Sequence, residues 1–264
     1  MSRPRLVATD LDGTLLRTDG SVSPHTAGVL RAVVDLGVEV AFVTARPWRW
    51  MTELWEYVGS RGLAVVSNGA LLLDVATGEP LEVHGIERDV GLPLVEAIRS
   101  RVPGSAFAIE MLAGISLDPD YREPGHAPPG SPRGDLAELW TGPVLKLLVR
   151  QADGVDPGFF RDAVLDAVGD RATTTWTMDG LMEISAVGVT KGAALARLCE
   201  LRGVAAHDVV AFGDMPNDLA MLTWAGTSYA VANAHPSVLE AADHVAPSND
   251  DDGVASVLAE LVGL

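Results

Sequence analysis

The sequence predicts an α/β protein, a parallel β-sheet with helices packed on it, into which an α+β module is inserted. Short apolar runs alternate with amphipathic helical segments in two parts of the chain, residues 1–82 and 188–264. Over residues 83–187 this alternation stops, and several strands follow one another directly. We therefore expect a core domain of residues 1–82 and 188–264 and an inserted α+β domain of residues 83–187.

In the first part of the core domain, buried strands are followed by helices. Ser23 and Pro24 are residue types that favour a helix cap and a first helical position, so a helix should begin there. The predicted elements are strands over 6–8, 38–43 and 63–66 and helices over 24–36 and 48–58. Because each helix returns the chain to the same edge of the sheet, these strands should be parallel.

The inserted domain has a different order of helices and strands. Its predicted elements are helices over 90–102 and 159–168, strands over 106–111, 115–117 and 144–149, and a hairpin of 173–178 and 181–185. Residues 119–134 contain five prolines and form a long irregular loop. This loop is either a flexible excursion or a lid whose Arg122 and Arg133 could reach an anionic substrate.

The α/β alternation returns at Thr190 and continues to the end of the chain. A helix runs from Lys191 to near Gly203, and the apolar run over 209–212 predicts the next strand. The remaining predicted elements are a short helix over 217–222, a strand over 229–231 and a closing helix over 250–261.

Composition and charge narrow the class of protein. The chain has 264 residues, of which 48% are hydrophobic and 21% charged, a balance typical of globular proteins. The net charge of −17 argues against nucleic acid or a membrane surface as a partner. Cys199 is the sole cysteine, which excludes an intramolecular disulfide. We find no membrane-spanning run and no signal peptide, so we expect a cytoplasmic protein.

Polar residues follow three of the predicted strands at the point where each strand ends. Asp10 and Asp12 follow the first strand, Thr44 and Arg46 the second, and Asp214 a later one. In open α/β sheets, ligands bind outside the carboxyl ends of the strands, so these side chains should meet in one crevice. Three carboxylates in such a crevice favour a hard cation with oxygen ligands, and Mg²⁺ fits that description.

Four segments in chain order resemble the motifs of the haloacid dehalogenase (HAD) superfamily. Asp10-Leu11-Asp12-Gly13-Thr14-Leu15 resembles the first motif and Thr44 the second; Lys191 resembles the third, and the segment from Gly213 to Asp218 the fourth. Thr44 and Lys191 are 147 positions apart, which leaves room for a large inserted cap. The chain is therefore similar to the Cof-type, or type IIB, subfamily over essentially its whole length. The resemblance implies a Rossmann-like parallel-sheet HAD core with an inserted α+β cap that confers substrate specificity.

The resemblance also implies roles for the acidic residues. Asp10 would be the nucleophile that forms an aspartyl-phosphate, and Asp12 the general acid and base. Mg²⁺ would be bound by Asp10, by the backbone carbonyl of Asp12 and by Asp214. Asp218 would orient Lys191 or a metal-bound water without binding the metal itself.

The remaining implied roles concern the phosphate. Lys191 would stabilise the phosphoryl charge and the Asp10 carboxylate. Thr44 would donate its hydroxyl to a phosphoryl oxygen, and Asn217 could reach the phosphate or the metal shell. Arg46 is either a substrate contact or the partner of an acidic neighbour.

Together these features predict a Mg²⁺-dependent phosphatase acting on a small soluble phosphomonoester, with a sugar phosphate as the leading class. Asp12 favours phosphate chemistry within the resemblance, because dehalogenases lack this second aspartate. One alternative is a phosphomutase, in which the phosphoryl group on Asp10 returns to a reoriented substrate. The other alternative is a sugar-phosphate-binding protein without catalysis. The oligomeric state does not follow from the sequence.

Overall fold

The computed structural model describes residues 3–58, 62–122 and 127–264. The chain divides into two compact units, which we call the core unit (Met1–Glu82 and Thr190–Leu264) and the inserted unit (Val83–Val189).

The core unit contains an eight-stranded sheet. In spatial order its strands are β13 (His244–Ala246), β12 (Thr227–Val231), β11 (Val209–Gly213), β1 (Leu6–Thr9), β2 (Glu39–Val43), β3 (Leu63–Val66), β4 (Leu71–Asp74) and β5 (Pro80–Val83). The strands from β13 to β3 are all parallel, as the sequence predicts, and β4 is antiparallel to β3. All four residues of β1 are buried, as expected for a central parallel strand covered on both faces.

The described residues of the core unit form five α-helices: α1 (Pro24–Asp35), α5 (Lys191–Arg202), α6 (Leu219–Trp224), α7 (Pro236–Ala241) and α8 (Gly253–Val262). The predicted start of α1 is confirmed, because the Ser23 hydroxyl accepts a hydrogen bond from the Thr26 N–H at 3.0 Å. Thr190 caps α5 in the same way. Helix α1 packs against α8, and α5 packs against α6.

The inserted unit contains a five-stranded sheet in which all neighbouring strands are antiparallel. In spatial order the strands are β7 (Gly114–Leu117), β6 (Ala106–Met111), β8 (Lys146–Arg150), β10 (Leu181–Ser185) and β9 (Thr173–Met178), and the helices are α2 (Arg88–Arg101), α3 (Leu136–Leu139) and α4 (Pro157–Val168). Apolar residues of α2 and α4 pack on one face of this sheet. A smaller apolar cluster, which includes Tyr121, lies on the other face.

The structure differs from the sequence prediction between β2 and β3. The predicted helix over 48–58 is replaced by two short 3₁₀ segments, Trp48–Trp50 and Thr52–Tyr57. Trp48 and Trp50 are 39% and 37% exposed, so neither side chain is buried in the core. Aromatic and β-branched residues are poor helix formers, and this segment is rich in them.

Three strands of the core sheet were not predicted. Strands β4 and β5 follow β3 directly, and β13 is only three residues long. Two of the three β13 residues are exposed, and three residues are too few to show a strand periodicity in the sequence.

The proline-rich loop is anchored where the structure describes it, in residues 119–122 and 127–134; Pro124 of the prediction lies outside the described residues. Arg133 donates hydrogen bonds to the backbone carbonyls of Asp118 and Tyr121, each at 2.9 Å. Arg122 likewise donates to the carbonyl of Pro119. Both arginines therefore hold the loop's own backbone.

Among the helices in the described part of the chain, we find none that is long and apolar enough to cross a lipid bilayer.

Candidate active site

The predicted site residues at the strand ends lie on three neighbouring parallel strands. Asp10 directly follows β1, Thr44 directly follows β2, and Asp214 directly follows β11. The register pairs Thr9 with a residue of β2 on one side and with a residue of β11 on the other. Parallel pairing therefore brings together three residues that are far apart in the sequence.

Lys191 is the centre of this group. Its ammonium lies 2.8 Å from Oδ1 of Asp10 and 2.6 Å from Oδ1 of Asp218, and the residue is 1% exposed. Burial disfavours the charged ammonium, but the two carboxylates outweigh it and hold the pKa of Lys191 above its ordinary range. Lys191 is therefore a fixed cation, even though it begins α5, where a cation opposes the helix dipole.

Asp218 has both carboxylate oxygens occupied by the protein. Oδ1 accepts from Lys191, and Oδ2 accepts from the backbone N–H groups of Asp214 and Met215 at 3.0 Å each. Its side chain is fully buried. This arrangement ties the position of Lys191 to the loop that carries Asp214.

Asp10, Asp214 and Asp218 form a buried cluster of carboxylates. One oxygen of each lies within 4.8 Å of the others, a spacing that could hold a metal ion. Burial raises the pKa of Asp10 well above its ordinary value, and Asp218 and Asp214 raise it further. Burial, together with the charge of Asp218, raises the pKa of Asp214 to about 6. These shifts follow from three carboxylates sharing a buried space with one ammonium.

The turn after β1, Leu11–Leu15, packs directly on Asp214. The Thr14 hydroxyl donates to Oδ1 of Asp214 at 2.8 Å. Gly13 has φ +75°, and a Cβ atom at this position would lie 2.4 Å from Oδ2 of Asp214. Glycine is thus required twice, for the left-handed backbone and for the close approach of the carboxylate.

Asp12 lies outside the buried cluster. Its side chain is 59% exposed and is held by Arg46 in a two-point ion pair, with Nη2 at 2.6 Å from Oδ1 and Nε at 2.7 Å from Oδ2. Of the two predicted roles for Arg46, the structure therefore places it with an acidic neighbour. Asp12 is therefore held by the Arg46 guanidinium and takes no part in the buried carboxylate cluster.

Thr44 is fully buried, and its hydroxyl accepts a hydrogen bond from the Arg46 N–H at 3.0 Å. A hydroxyl that accepts in this way still has its own proton to donate. Thr44 and Arg46 thus act together. The Thr44 hydroxyl fixes the backbone of Arg46, and the Arg46 side chain binds Asp12.

Asn217 is brought to a strained turn that follows β3. Its Nδ2 donates to Oδ1 of Asn68 at 3.1 Å. Ser67 and Asn68 both have left-handed backbones, with φ of +52° and +58°. Each such residue costs on the order of 1–3 kcal/mol, and strain of this kind clusters at functional sites. The sequence contained one signal for this turn, the dipeptide Asn68-Gly69, which favours positive φ.

With this geometry established, comparison with known proteins defines the family. Residues 7–258 match the family model of the haloacid dehalogenase-like hydrolases, and the chain belongs to this family. The chain is 26% identical to the 5-amino-6-(5-phospho-D-ribitylamino)uracil phosphatase YitU of Bacillus subtilis, over 100% of this chain and 99% of the relative. It is 28% identical to the phosphoglycolate phosphatase of Halorubrum lacusprofundi, over 97% and 96% of the two chains.

The fold is similar to that of the HAD subclass IIB sugar phosphatase BT4131, with a TM-score of 0.84, 19% identity, and coverage of 98% of this chain and 100% of that one. The resemblance to Cof-type HAD hydrolases is thus confirmed by the family match, and the likeness to BT4131 shows the fold. The predicted class of enzyme, a HAD-type phosphoric monoester hydrolase, is confirmed as well.

Proposed function

We propose that this enzyme hydrolyses small soluble phosphomonoesters, with sugar phosphates as the leading substrate class, through a phosphoryl group carried on Asp10. The observation that carries this proposal is the buried Asp10 carboxylate, bound by Lys191 beside Asp214, with the proton-exchanging Asp12 two residues further on.

In the first half-reaction, a carboxylate oxygen of Asp10 attacks phosphorus and the ester P–O bond breaks. Asp12 gives its proton to the departing alkoxide, which leaves as an alcohol. Lys191 is positioned to neutralise charge that spreads over the phosphoryl oxygens. Because its ammonium is already held by two carboxylates, it needs no reorganisation when this charge develops.

In the second half-reaction, Asp12 removes a proton from a water molecule, and the resulting hydroxide attacks phosphorus. The bond between phosphorus and the Asp10 oxygen breaks, so inorganic phosphate and the free carboxylate are released. The Arg46 guanidinium holds both oxygens of Asp12 while Asp12 is ionised, and it releases one of them when Asp12 carries the proton. The Thr44 hydroxyl and the Asn217 amide are the expected further donors to the phosphate.

The residues present fit a divalent cation. Asp10, Asp214 and Asp218 carry three negative charges against the one positive charge of Lys191, so the four side chains have two negative charges in excess. Both oxygens of Asp218 are occupied by protein donors, which leaves Asp10 and Asp214 as the residues to hold the ion. Oxygen ligands favour Mg²⁺, which would reduce the repulsion between an anionic nucleophile and an anionic phosphate.

The substrate class rests on the relatives. The BT4131 structure is of a sugar phosphatase, and YitU acts on a phosphorylated ribitylamino compound. The phosphoglycolate phosphatase shows that this level of identity also spans a small acid phosphate. We therefore extend to this enzyme the class of small phosphomonoesters and place sugar phosphates first.

The test is phosphate release from a panel of sugar and acid phosphates, in Mg²⁺ and in EDTA. We expect the wild type to hydrolyse some of the sugar phosphates in Mg²⁺ and none of them in EDTA. Asp10→Asn should lower turnover by ~10⁴-fold or more, as for other nucleophile replacements, while the protein stays folded. Asp35→Asn, which changes an exposed carboxylate at the end of α1, is the matched control.

Turnover by Asp10→Asn would remove Asp10 as the nucleophile. Hydrolysis that continues in EDTA would remove the metal from the proposal. Turnover of a sugar phosphate that begins only when a sugar bisphosphate is added would favour the phosphomutase.

A further inference from the structure

The turn that carries the first motif is held at two backbone carbonyls by asparagines from the far end of the chain. Asn233 donates from Nδ2 to the carbonyl of Gly13 at 2.8 Å. Asn249 donates from Nδ2 to the carbonyl of Leu16 at 2.9 Å. One contact therefore lies directly after Asp12, and the other lies where the turn ends.

The two asparagines are also bound to each other. The backbone N–H of Asn249 donates to Oδ1 of Asn233 at 3.0 Å, so both polar atoms of the Asn233 amide are used. Asn249 is 4% exposed, and its neighbourhood is further fixed by Asp252, which binds Arg17 through two hydrogen bonds. The segment from Ser248 to Asp252, which we call the C-terminal turn, is thus a rigid support for Asn233.

The segment that contains Asn233 also contacts the loop that carries Asp214. The backbone N–H of His235 donates to the carbonyl of Asp214 at 2.8 Å. Gly13, which Asn233 holds from one side, lies against the carboxylate of Asp214 on the other. The segment from Asn233 to His235 therefore connects the loop that carries Asp12 with the loop that carries Asp214.

We propose that Asn233, supported by Asn249 of the C-terminal turn, is a positioning residue that sets the place of Asp12 for proton transfer. Arg46 fixes Asp12 through its side chain, and Asn233 fixes it through the next carbonyl of the backbone. Both are needed, because the Asp12 side chain is largely exposed and has few packing contacts to hold it. A misplacement of about 1 Å at a reacting group can cost about 10²-fold in rate.

The inference rests on the proposed function and predicts a dependence on the leaving group. A positioning role toward Asp12 concerns proton delivery, which matters most when the departing oxygen is basic. Phenyl phosphate and p-nitrophenyl phosphate are similar in size, but phenolate is the more basic leaving group. A merely structural role for Asn233 would lower the rates of both compounds equally.

The experiment compares kcat/KM for the two compounds in Mg²⁺ with wild type, Asn233→Ala and Asp250→Ala. We expect Asn233→Ala to lower kcat/KM for phenyl phosphate by about 10²-fold and for p-nitrophenyl phosphate by about tenfold. The KM for p-nitrophenyl phosphate should stay within about twofold, because Asn233 touches no substrate in this proposal. Where Asn233→Ala does not fold, Asn233→Asp takes its place, since it keeps the acceptor for Asn249 and loses the donor to Gly13.

Asp250→Ala is the matched control. It removes two hydrogen bonds of 2.8 Å between the C-terminal turn and Thr18 but leaves Asn233 and Gly13 untouched. We expect Asp250→Ala to lower the melting temperature by about as much as Asn233→Ala does. Both of its kcat/KM values should stay within about twofold of the wild type. Equal losses for the two compounds in Asn233→Ala, wild-type rates in that variant, or a tenfold loss in Asp250→Ala would each overturn the inference.

Failure of the proposed function looks different. It appears as turnover by Asp10→Asn, or as no turnover by the wild type. Failure of the inference appears as normal or uniformly lowered rates in Asn233→Ala while the wild type is active and Asp10→Asn is not.

Discussion

Both units of this enzyme bury a lysine against carboxylates of a β-sheet, but the two groups are built differently. In the core unit, Lys191 begins α5 and binds Asp10 and Asp218 beyond the ends of the strands. In the inserted unit, Lys146 of β8 pairs with Glu183 of β10 at 2.8 Å. Both lysines are at least 95% buried.

The difference lies in place and in what surrounds the carboxylates. The core group adds Asp214, and with its three carboxylates ionised it carries two negative charges in excess, while burial raises the pKa of Asp10 and Asp214. The Lys146–Glu183 pair lies within the strands, and the buried Glu110 of β6 is the register partner of Lys146. A buried excess of one sign is costly in an empty site and is stabilising when an opposite charge binds, so it marks the core group as a ligand site.

The largest difference should appear when each lysine is replaced. Lys191→Met removes the cation from beside three carboxylates and should lower kcat on p-nitrophenyl phosphate by about 10²–10³-fold. Lys146→Met should leave kcat within about threefold. Both variants should lose stability, by about 3–5 kcal/mol for a broken buried pair, measured by urea unfolding in Mg²⁺. An equal loss of kcat in Lys146→Met would remove the distinction between the two groups.

Neutralising one carboxylate in each group should change stability in opposite directions. The raised pKa of Asp214, about 6 against an ordinary 3.8, means that its charge destabilises the metal-free fold. In EDTA, Asp214→Asn should therefore be more stable than the wild type by up to ~3 kcal/mol, at 1.36 kcal/mol per pKa unit.

The sign of this effect sets its pH window. The wild type is not penalised below about pH 3, where Asp214 is protonated in both the folded and the unfolded state, and it loses stability as the pH rises from about 4 to about 6. The gain in Asp214→Asn should be complete above that range and should vanish below about pH 3. Glu183→Gln should instead lose about 3–5 kcal/mol at pH 7.5, because it removes the carboxylate that the buried Lys146 ammonium contacts at 2.8 Å. Unfolding curves in urea over this pH range measure both effects.

Two glycines allow the cost of a close contact to be measured apart from the cost of a strained backbone. Gly13 in the core unit and Gly154 in the inserted unit have nearly the same φ, +75° and +76°, but a Cβ atom at Gly154 meets nothing within 4 Å. Gly154→Ala should cost only the left-handed strain, about 1–2 kcal/mol. Gly13→Ala should cost more in stability and also lower kcat, because the methyl group displaces the Asp214 carboxylate. If the two variants lose the same stability and Gly13→Ala keeps its kcat, the contact with Asp214 has no catalytic consequence.

The smallest effect should come from two ion pairs between an arginine and an aspartate. Arg46→Lys keeps the charge but loses the two-point hold on Asp12, so kcat should fall by roughly tenfold, a part of the total contribution of a general acid. Arg99→Lys is the comparison in the inserted unit, where one nitrogen of Arg99 binds the buried Asp118. It should leave kcat on p-nitrophenyl phosphate unchanged. Steady-state kinetics of both variants with this compound decide the outcome.

The sequence was most informative where a local pattern decides the structure. The parallel order of β1, β2 and β3 follows from apolar runs alternating with helices, and Ser23-Pro24 begins α1 as predicted. The hairpin of β9 and β10 has the predicted bounds, because apolar and β-branched runs flank Asp179-Gly180. Cys199 lies on α5 and is buried, in keeping with its place among apolar residues at helical spacing.

Prediction failed where the spacing of apolar residues was the only guide. The segment over 48–58 has apolar residues at helical spacing, yet it is rich in poor helix formers, forms 3₁₀ turns and exposes much of Trp48 and Trp50. Strand β13 has only three residues, too few for a periodic pattern, and it forms because the edge of β12 offers it hydrogen-bonding partners.

By itself, the sequence determined the class of fold, the motif residues and the prediction that their carboxylates converge, because strand ends in a parallel sheet must share one edge. Only the tertiary structure decided which charges pair. In the folded chain Lys191 lies between Asp10 and Asp218, and Arg46 pairs with Asp12. Asn233 binds the Gly13 carbonyl, which is 220 positions away in the sequence. The reason is physical: residue types define which interactions are available, but burial and distance decide which of them form and how strongly charges act on one another.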